Sequence, residues 1–361
     1  MKAVILVGGQ GTRLRPLTIN APKAMVPVLN MPFLEHVICH LSRHKVMQIT
    51  MAQSHLAQSI ADYFGDGSRF GVRINYVLEK TPLGTAGAVK NAERYLDETF
   101  LVLNGDIVTD LDITAMLDAH RRSRAKATIA LTPVDDPTSY GLIETDDKSR
   151  VTRFLEKPSW SQVTTNMINA GTYILEPDVV ACIPSQTNFS FEHDLFPLFL
   201  EQDMPIYAYP SAAYWMDIGT PEKYLQLNTD LLSGKGGQHG LPLGSKVVIG
   251  QKCDIHPTAQ ISEPVVIGSN CTIGQQVRLV GPVVIGPGCV ILDDAVITES
   301  VIWGAVNIGS GARIMHSIIA SNCRLEDGSI VEKAVLGDNV TVASGYELEL
   351  GSKIWPGTAV G

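Results

Sequence analysis

Over the last third of the chain, apolar residues recur at every sixth position: Ile249, Ile255, Ile261, Ile267, Ile273, Leu279, Ile285, Ile291 and Ile297. A sustained six-residue period marks a hexapeptide β-helix, in which stacked coils bury a continuous core. Glycine follows several of these residues (Gly250, Gly268, Gly274 and Gly286). The period slips near Trp303 and resumes in a new register as Ile330, Leu336, Val342, Leu348, Ile354 and Val360. Cys253, Cys271 and Cys289 lie 18 residues apart. Each stands two residues before a core isoleucine, so they read as small inward residues rather than as a metal or redox ladder.

The preceding two-thirds has another texture. Apolar runs at Ala3 to Val7, Val46–Ala52, Val72–Leu78, Phe100–Asn104 and Lys126–Val134 alternate with amphipathic stretches. One of these, Pro32 to His44, places Phe33, Leu34, Val37, Ile38 and Leu41 on a single helical face. Such alternation predicts an α/β fold, a Rossmann-like mostly parallel mixed sheet with helices on both faces. Further strands are expected at Leu142–Glu144, Val151–Glu156 and Ala170–Leu175, and a closing helix at Pro221–Leu232. The run from Ser233 to Gly240 has the composition of a linker. The expected division is a catalytic domain over 1–232, a linker over 233–246 and a β-helix over 247–361. A length of 361 residues suits two domains, and 45% apolar residues are ample for their cores. The net charge of −9 argues against a nucleic-acid surface. No apolar run reaches the length of a membrane span, and the first residues are too briefly hydrophobic for a signal peptide. The six cysteines show no zinc spacing. A cytoplasmic enzyme is expected, with neither nucleic acid nor membrane as partner.

The chemistry-bearing segments lie before residue 233. Leu6-Val7-Gly8-Gly9-Gln10-Gly11-Thr12-Arg13-Leu14-Arg15-Pro16 follows the first strand. Its glycines let backbone N–H groups approach an anion, and Arg13, Arg15 and Lys23 add the charge a polyphosphate needs. The run reads as a phosphate cradle at a strand's carboxyl end. It has neither dinucleotide-fingerprint nor P-loop spacing, and glycines alone also fit a plain turn. Pro82-Leu83-Gly84-Thr85-Ala86-Gly87-Ala88 is a second glycine-rich turn, equally a simple helix start. Asn104-Gly105-Asp106 and Trp215-Met216-Asp217-Ile218-Gly219-Thr220-Pro221 each set a carboxylate in apolar surroundings, as a turn or a helix cap also does. Together they supply oxygen ligands for Mg²⁺.

Gly8-Gly9-x-Gly11-Thr12-Arg13-Leu14-x-Pro16, with Pro22-Lys23 downstream, resembles the signature of the sugar-1-phosphate nucleotidyltransferases, or nucleotide-sugar pyrophosphorylases. The hexads resemble the left-handed parallel β-helix family, and the handedness is taken from that likeness; it implies coils of three hexads, roughly 18 residues each, so that about six coils fit and the three cysteines stack on successive coils about 4.8 Å apart. The resemblance implies nucleotidyl transfer from a nucleoside triphosphate to a sugar 1-phosphate, with pyrophosphate released. It implies nucleotide binding by Leu6, Gly8, Gly9, Gly11, Thr12, Arg13, Glu79, Gly84, Thr85, Ala86, Asn104 and Gly105. It likewise implies sugar-phosphate binding by Gly141, Glu156, Lys157, Asn169 and Gly171, with Tyr140 beside the first of them. Asp106 and Asp217 would hold Mg²⁺, and with Arg13 and Lys23 would carry the catalysis.

Thr85-Ala86-Gly87, with Glu79 before it, looks most like the branch that guanylylates mannose 1-phosphate to GDP-mannose; acetylglucosamine-type uridylyltransferases usually carry histidine where Gly87 stands. Glucose-1-phosphate uridylyl- or thymidylyltransferase is the alternative, and a non-catalytic nucleotide-sugar-binding regulatory subunit is a further one. His256 and His316 raise an acyltransferase reading for the β-helix, although no long inserted loop accompanies them. Apolar residues on the array, including Ile302, Trp303 and Trp355, suggest a homo-oligomer, a dimer or dimer of dimers, formed through the β-helix.

Overall fold

The computed structural model describes residues 1–54, 57–239 and 246–361. The chain gathers into two compact units. One joins Met1–Gly9 to Val37–Trp215, and the other joins Gln10–His36 to Met216–Gly361.

The first unit is built on a nine-stranded sheet. Lys2–Leu6 lies between Gln48–Gln53 and Phe100–Asn104, parallel to both, and Arg73–Leu78 extends one edge in parallel. Met167–Leu175 runs antiparallel to Phe100–Asn104. Beyond it lies the hairpin of Gly141–Thr145 with Val151–Glu156. Ala127–Pro133 also pairs with Met167–Leu175 and carries Ile206–Pro210 at its other side. The unbroken apolar runs Val4-Ile5 and Phe100 to Val102 are fully buried, as befits central strands. The expected strands form within two or three residues of their expected ends. The strand expected at Ala170–Leu175 is longer, because its pairing register shifts between Asn169 and Tyr173 and resumes on the far side. Ile206–Pro210 was not anticipated: it alternates buried and half-buried residues between prolines, a weak edge-strand pattern. In the helix Phe33–Arg43, all five residues assigned to the apolar face are buried.

The second unit contains the β-helix, whose short strands stack into parallel sheets of seven, seven and five. The coil length is not constant. Ile249, Ile267 and Ile285 repeat at 18 residues. Ile285, Ile302, Ile319 and Leu336 repeat at 17, and Ile354 restores 18. The slip seen in the sequence is therefore three successive short sides at one corner, from Ile297 to Ile302, Ile314 to Ile319 and Val331 to Leu336. Val331 faces the core, and Ile330, expected there, is only half-buried. Glu299, His316 and Lys333 turn these corners in left-handed backbone.

Buried serines close the hydrogen bonding at the short corners. Ser300 Oγ accepts the Ser317 N–H at 3.0 Å, and Ser317 Oγ accepts the Ala334 N–H at 3.0 Å. The same hydroxyls donate to Thr298 O and Met315 O at 2.7 Å. His316 pairs with Glu299 at 3.3 Å and His256 bonds Thr258 at 2.9 Å, so each has a corner partner. Cys271, Cys289 and Cys323 are fully buried free thiols, with Cys253 half-buried. Burial pushes the Cys323 thiol up to about 12. Ile302 and Trp303 are not exposed as expected: Ile302 is core and Trp303 is only 5% exposed, whereas Trp355 is 55% exposed. Gly237–His239 forms a short 3-10 turn, and positions 240–245 of the expected linker lie outside the described residues. No helix among the described residues is long and apolar enough to cross a membrane.

Ser317→Ala strands the buried Ala334 N–H, which costs about 1–3 kcal/mol. Chemical denaturation should show that loss; unchanged stability would mean that the hydroxyl is dispensable at this corner.

Candidate active site

In the sheet unit, the chain leaves Lys2–Leu6 toward Gln48–Gln53 and leaves Phe100–Asn104 toward the antiparallel side. Strands that diverge in this way leave a crevice at their carboxyl ends, where ligands of open α/β sheets bind. Gly8 and Asp106 lie just past those two ends. The Gly105 N–H donates to Leu6 O at 2.9 Å. A Cβ on Gly105 would sit 2.6 Å from that oxygen, so only glycine allows the turn this close. Gly171 lies against the Asn104 amide, and the Ser54 hydroxyl donates to Gly8 O. Glu79 Oε2 accepts the Leu83 N–H at 3.3 Å, and burial raises its carboxyl above the usual range.

The second glycine-rich turn opens the helix Gly84–Asn91. Its first N–H groups are already used: Phe189 O accepts from Ala86 at 3.0 Å and from Gly87 at 2.9 Å. Thr85 Oγ1 accepts the Phe191 N–H and donates to Glu192 Oε2, both at 2.9 Å. A Cβ at position 87 would lie 2.6 Å from Thr187 O. Histidine therefore does not fit at this position while the backbone over 187–189 stays where it is.

On the hairpin side, Gly141 lies against the Glu156 carboxylate. Burial raises the Glu156 carboxyl, and the nearby charge of Glu192 raises it further. Lys157 is exposed, takes left-handed backbone at φ 48, and donates its N–H to Tyr140 O at 3.0 Å. Asn169 Oδ1 accepts the Gly171 N–H at 2.9 Å, and its Nδ2 donates to Tyr173 OH at 2.8 Å. Tyr173 OH donates in turn to Glu192 Oε1 at 3.2 Å. Glu192 thus joins Thr85 of the nucleotide set to Asn169 of the sugar-phosphate set. Sequence reasoning missed it. Its only local signal is an acid two residues after the capping Ser190, which any helix start favours.

The second unit carries Arg13, Arg15 and Lys23. Gly11 packs on Lys23 and Thr18, and Thr18 Oγ1 donates to Gly11 O at 2.7 Å. Leu14 is fully buried and anchors the 3-10 turn Thr12–Leu14, leaving Thr12, Arg13 and Arg15 exposed, as is Gly9. The helix Pro221–Leu232 is capped by Thr220, so Asp217 is not the cap. Asp217 Oδ1 pairs instead with Lys223, a residue the sequence did not single out. A Cβ on Gly219 would lie 2.7 Å from Asp217 Oδ2 and 3.4 Å from Arg13 Nη2. Arg13, Asp217 and Lys223 therefore form one charged cluster. Among the described residues no three His, Cys, Asp or Glu side chains converge as a metal cage. One or two carboxylates is the protein donor set for an ion that takes its other oxygens from phosphate and water.

The family model "Nucleotidyl transferase" matches residues 2–234, and "GMPPB C-terminal domain" matches 279–358. A mannose-1-phosphate guanylyltransferase of Mycobacterium tuberculosis is 42% identical over 64% of this chain and 65% of its own length. A UTP–glucose-1-phosphate uridylyltransferase of Synechocystis is 38% identical over 88% of this chain and 87% of its own. A mannose-1-phosphate guanyltransferase of Candida albicans is 37% identical over 99% and 96%. Among solved structures, HddC from Yersinia pseudotuberculosis complexed with GMP-PN is similar. It is 33% identical, with a TM-score of 0.55 over 63% of this chain and 97% of that one.

The raised carboxyl of Glu156 has a pH signature. A pKa raised in the folded state leaves stability intact below the ordinary carboxylate range and erodes it as pH rises through the raised value. Glu156→Gln should therefore gain melting temperature over the parent at pH 7 relative to pH 4. An offset that does not change with pH would contradict the burial of that charge.

Proposed function

This chain belongs to the nucleotidyl transferase family, and on that premise we propose that it converts GTP and mannose 1-phosphate to GDP-mannose and pyrophosphate. The observation that carries the reaction class is the approach of Gly105 to Leu6, which sets Asn104-Gly105-Asp106 beside the glycine loop at the strand ends. The guanine and mannose assignments are supported by the Mycobacterium and Candida relatives and by the glycine at position 87. The Synechocystis relative favours UTP with glucose 1-phosphate as the second reading.

In the reaction, an oxygen of the sugar phosphate attacks the α-phosphorus, the bond to the bridging oxygen breaks, and pyrophosphate carries away the electron pair. The attacking oxygen is already anionic at neutral pH, so no general base is needed. The work left to the protein is positioning and charge neutralisation. Arg13 and the backbone of Gly8, Gly9, Gly11 and Thr12 hold the β- and γ-phosphates. Lys23 and Lys157 steady the reacting phosphates. Gly141, Glu156, Asn169 and Gly171 hold the sugar. Glu79 and the helix start at Gly84 face the base and ribose. There Thr85 and Ala86 supply surface, since Glu192 and Phe189 already take their polar groups. Asp106 and Asp217 are the proposed ligands of a divalent ion, Mg²⁺, which when bound neutralises phosphate charge. The same reading puts the enzyme in the cytoplasm, with 1–232 as catalytic domain. The coils from 247 onward would make a homo-oligomer, with exposed Trp355 as one contact.

Pyrophosphate release over a panel of triphosphates and sugar 1-phosphates tests the assignment. GTP with mannose 1-phosphate should be fastest, and preference for UTP with glucose 1-phosphate would replace it with the second reading. Asp106→Ala and Asp217→Ala should each lower kcat about a hundredfold or more; near-normal turnover at saturating Mg²⁺ would remove that residue from the site. Lys157→Ala should raise the apparent KM for sugar 1-phosphate more than that for the triphosphate, and the reverse split would put Lys157 on the other substrate.

A further inference from the structure

The phosphate-loop segment Gln10–His36 and the β-helix belong to one compact unit. Besides the contact of Asn20 Nδ2 with Asp338 Oδ2 at 3.1 Å, they meet at a hairpin in which Pro27–Val28 pairs with Met31–Pro32. Its two turn residues, Leu29 (φ 47) and Asn30 (φ 65), both take left-handed backbone. Asparagine visits that region readily; leucine does so only where the surroundings over-determine it. Here they do. The Leu29 N–H donates to Asn228 Oδ1 at 3.1 Å, and Asn228 is itself fixed by donating to Tyr224 O at 2.9 Å. Asn30 Nδ2 donates to the carbonyl of Ile285, in the β-helix, at 2.8 Å. Tyr224 OH donates to Pro27 O and accepts the indole N–H of Trp303, also in the β-helix, at 3.0 Å.

Trp303 stands out against its own column. The residues that follow the core position in this sheet are Gly250, Gly268, Gly286, Trp303, Ala320, Gly337 and Trp355. The coil itself needs only a small residue there. The Trp303 side chain is nonetheless buried, against a tyrosine of the helix Pro221–Leu232. The hairpin it supports follows directly on the 3-10 turn Lys23–Met25. Fully buried Val26 accepts the Phe33 N–H at 2.9 Å and donates to Lys23 O at 3.3 Å. Gly11 packs on Lys23.

We propose that the β-helix positions the triphosphate loop. Trp303 acting through Tyr224, and the Ile285 carbonyl acting on Asn30, hold the hairpin whose packing sets Lys23 and, through Gly11, the turn that carries Arg13. Trp303, Tyr224 and Asn30 are positioning residues that touch no substrate. The assignment to triphosphate binding rests on the nucleotidyl-transfer reading; the mechanical coupling does not.

Two full-length variants test it. Trp303→Phe keeps an aromatic ring and deletes the indole donor together with part of the ring system, and Asn30→Ala deletes the contact to Ile285. Each should raise the apparent KM for GTP about two- to tenfold, the range for loss of one net hydrogen bond, with the KM for mannose 1-phosphate unchanged. A general loss of packing would move both. Independently of activity, hydrogen exchange of amides over residues 11–33 should speed up in each variant while Phe100–Asn104 stays protected. If Trp303→Phe does not fold, Asn30→Ala decides alone. Should the wild-type chain prove inactive on every substrate pair, the catalytic reading falls and the exchange data decide the coupling. Unchanged exchange over 11–33 in a folded variant, or equal shifts in both KM values, overturns the proposal.

Discussion

The candidate site depends on places where two stretches of backbone come closer than a Cβ permits. Gly105 against Leu6 is the plainest case. With any side chain there, the turn carrying Asp106 would have to lift away from the strand that feeds the glycine loop. Protein interiors do not absorb such displacements smoothly, because they are close-packed. Gly87 against Thr187 works in the same way elsewhere in the sheet unit. It brings the helix start close enough for Phe189 to take two of its N–H groups and for Thr85 to reach Glu192. The candidate site is thus shaped by backbone geometry first, and the side chains are hung on it.

Much of this was legible in the sequence, for reasons that differ by segment. Central strands such as Phe100–Asn104 are continuous apolar runs bounded by turn residues, and the hexads are regular enough to count. The three short corners were harder. Losing one residue from three successive sides gives a 17-residue coil, and a reader following sixes lands on Ile330 instead of Val331. The structure shows the compensation that the sequence hides: left-handed corner residues and a ladder of buried serine hydroxyls. Glycines and charged residues of the candidate site stand out in the sequence because their motif is long. Glu192 and Lys223 do not, because each makes its contact through the fold or from within a helix, and locally each looks like an ordinary charged residue in a helix's first turns. Trp303 was noticed as an exposed aromatic. Its burial could not be read from periodicity, since the partner that covers it, Tyr224, lies in a helix 79 residues earlier.

The proposed roles fall on residues of both units. In the sheet unit, one hydrogen-bonded path runs from Thr85 through Glu192 and Tyr173 to Asn169. The groups proposed for base, ribose and sugar therefore share one half-buried carboxylate, that of Glu192. Of the cations proposed for the phosphates, Lys157 lies in this same unit, and Arg13 and Lys23 lie in the other, with the coils. On the proposal above, a domain that by its repeats looks like an assembly scaffold also supports the loop to which the triphosphate is assigned. Stability and substrate affinity are then coupled, because the hairpin at Leu29 and Asn30 holds its left-handed turn only while its neighbours hold it.

The central claim is attack at the α-phosphorus by a sugar phosphate, and label transfer tests it most directly. With GTP carrying ³²P at the α-position and mannose 1-phosphate as acceptor, the label should move into the nucleotide sugar. With ³²P at the γ-position, it should appear only in pyrophosphate. Label from the γ-position in the sugar product would show phosphoryl rather than nucleotidyl transfer and would contradict the account.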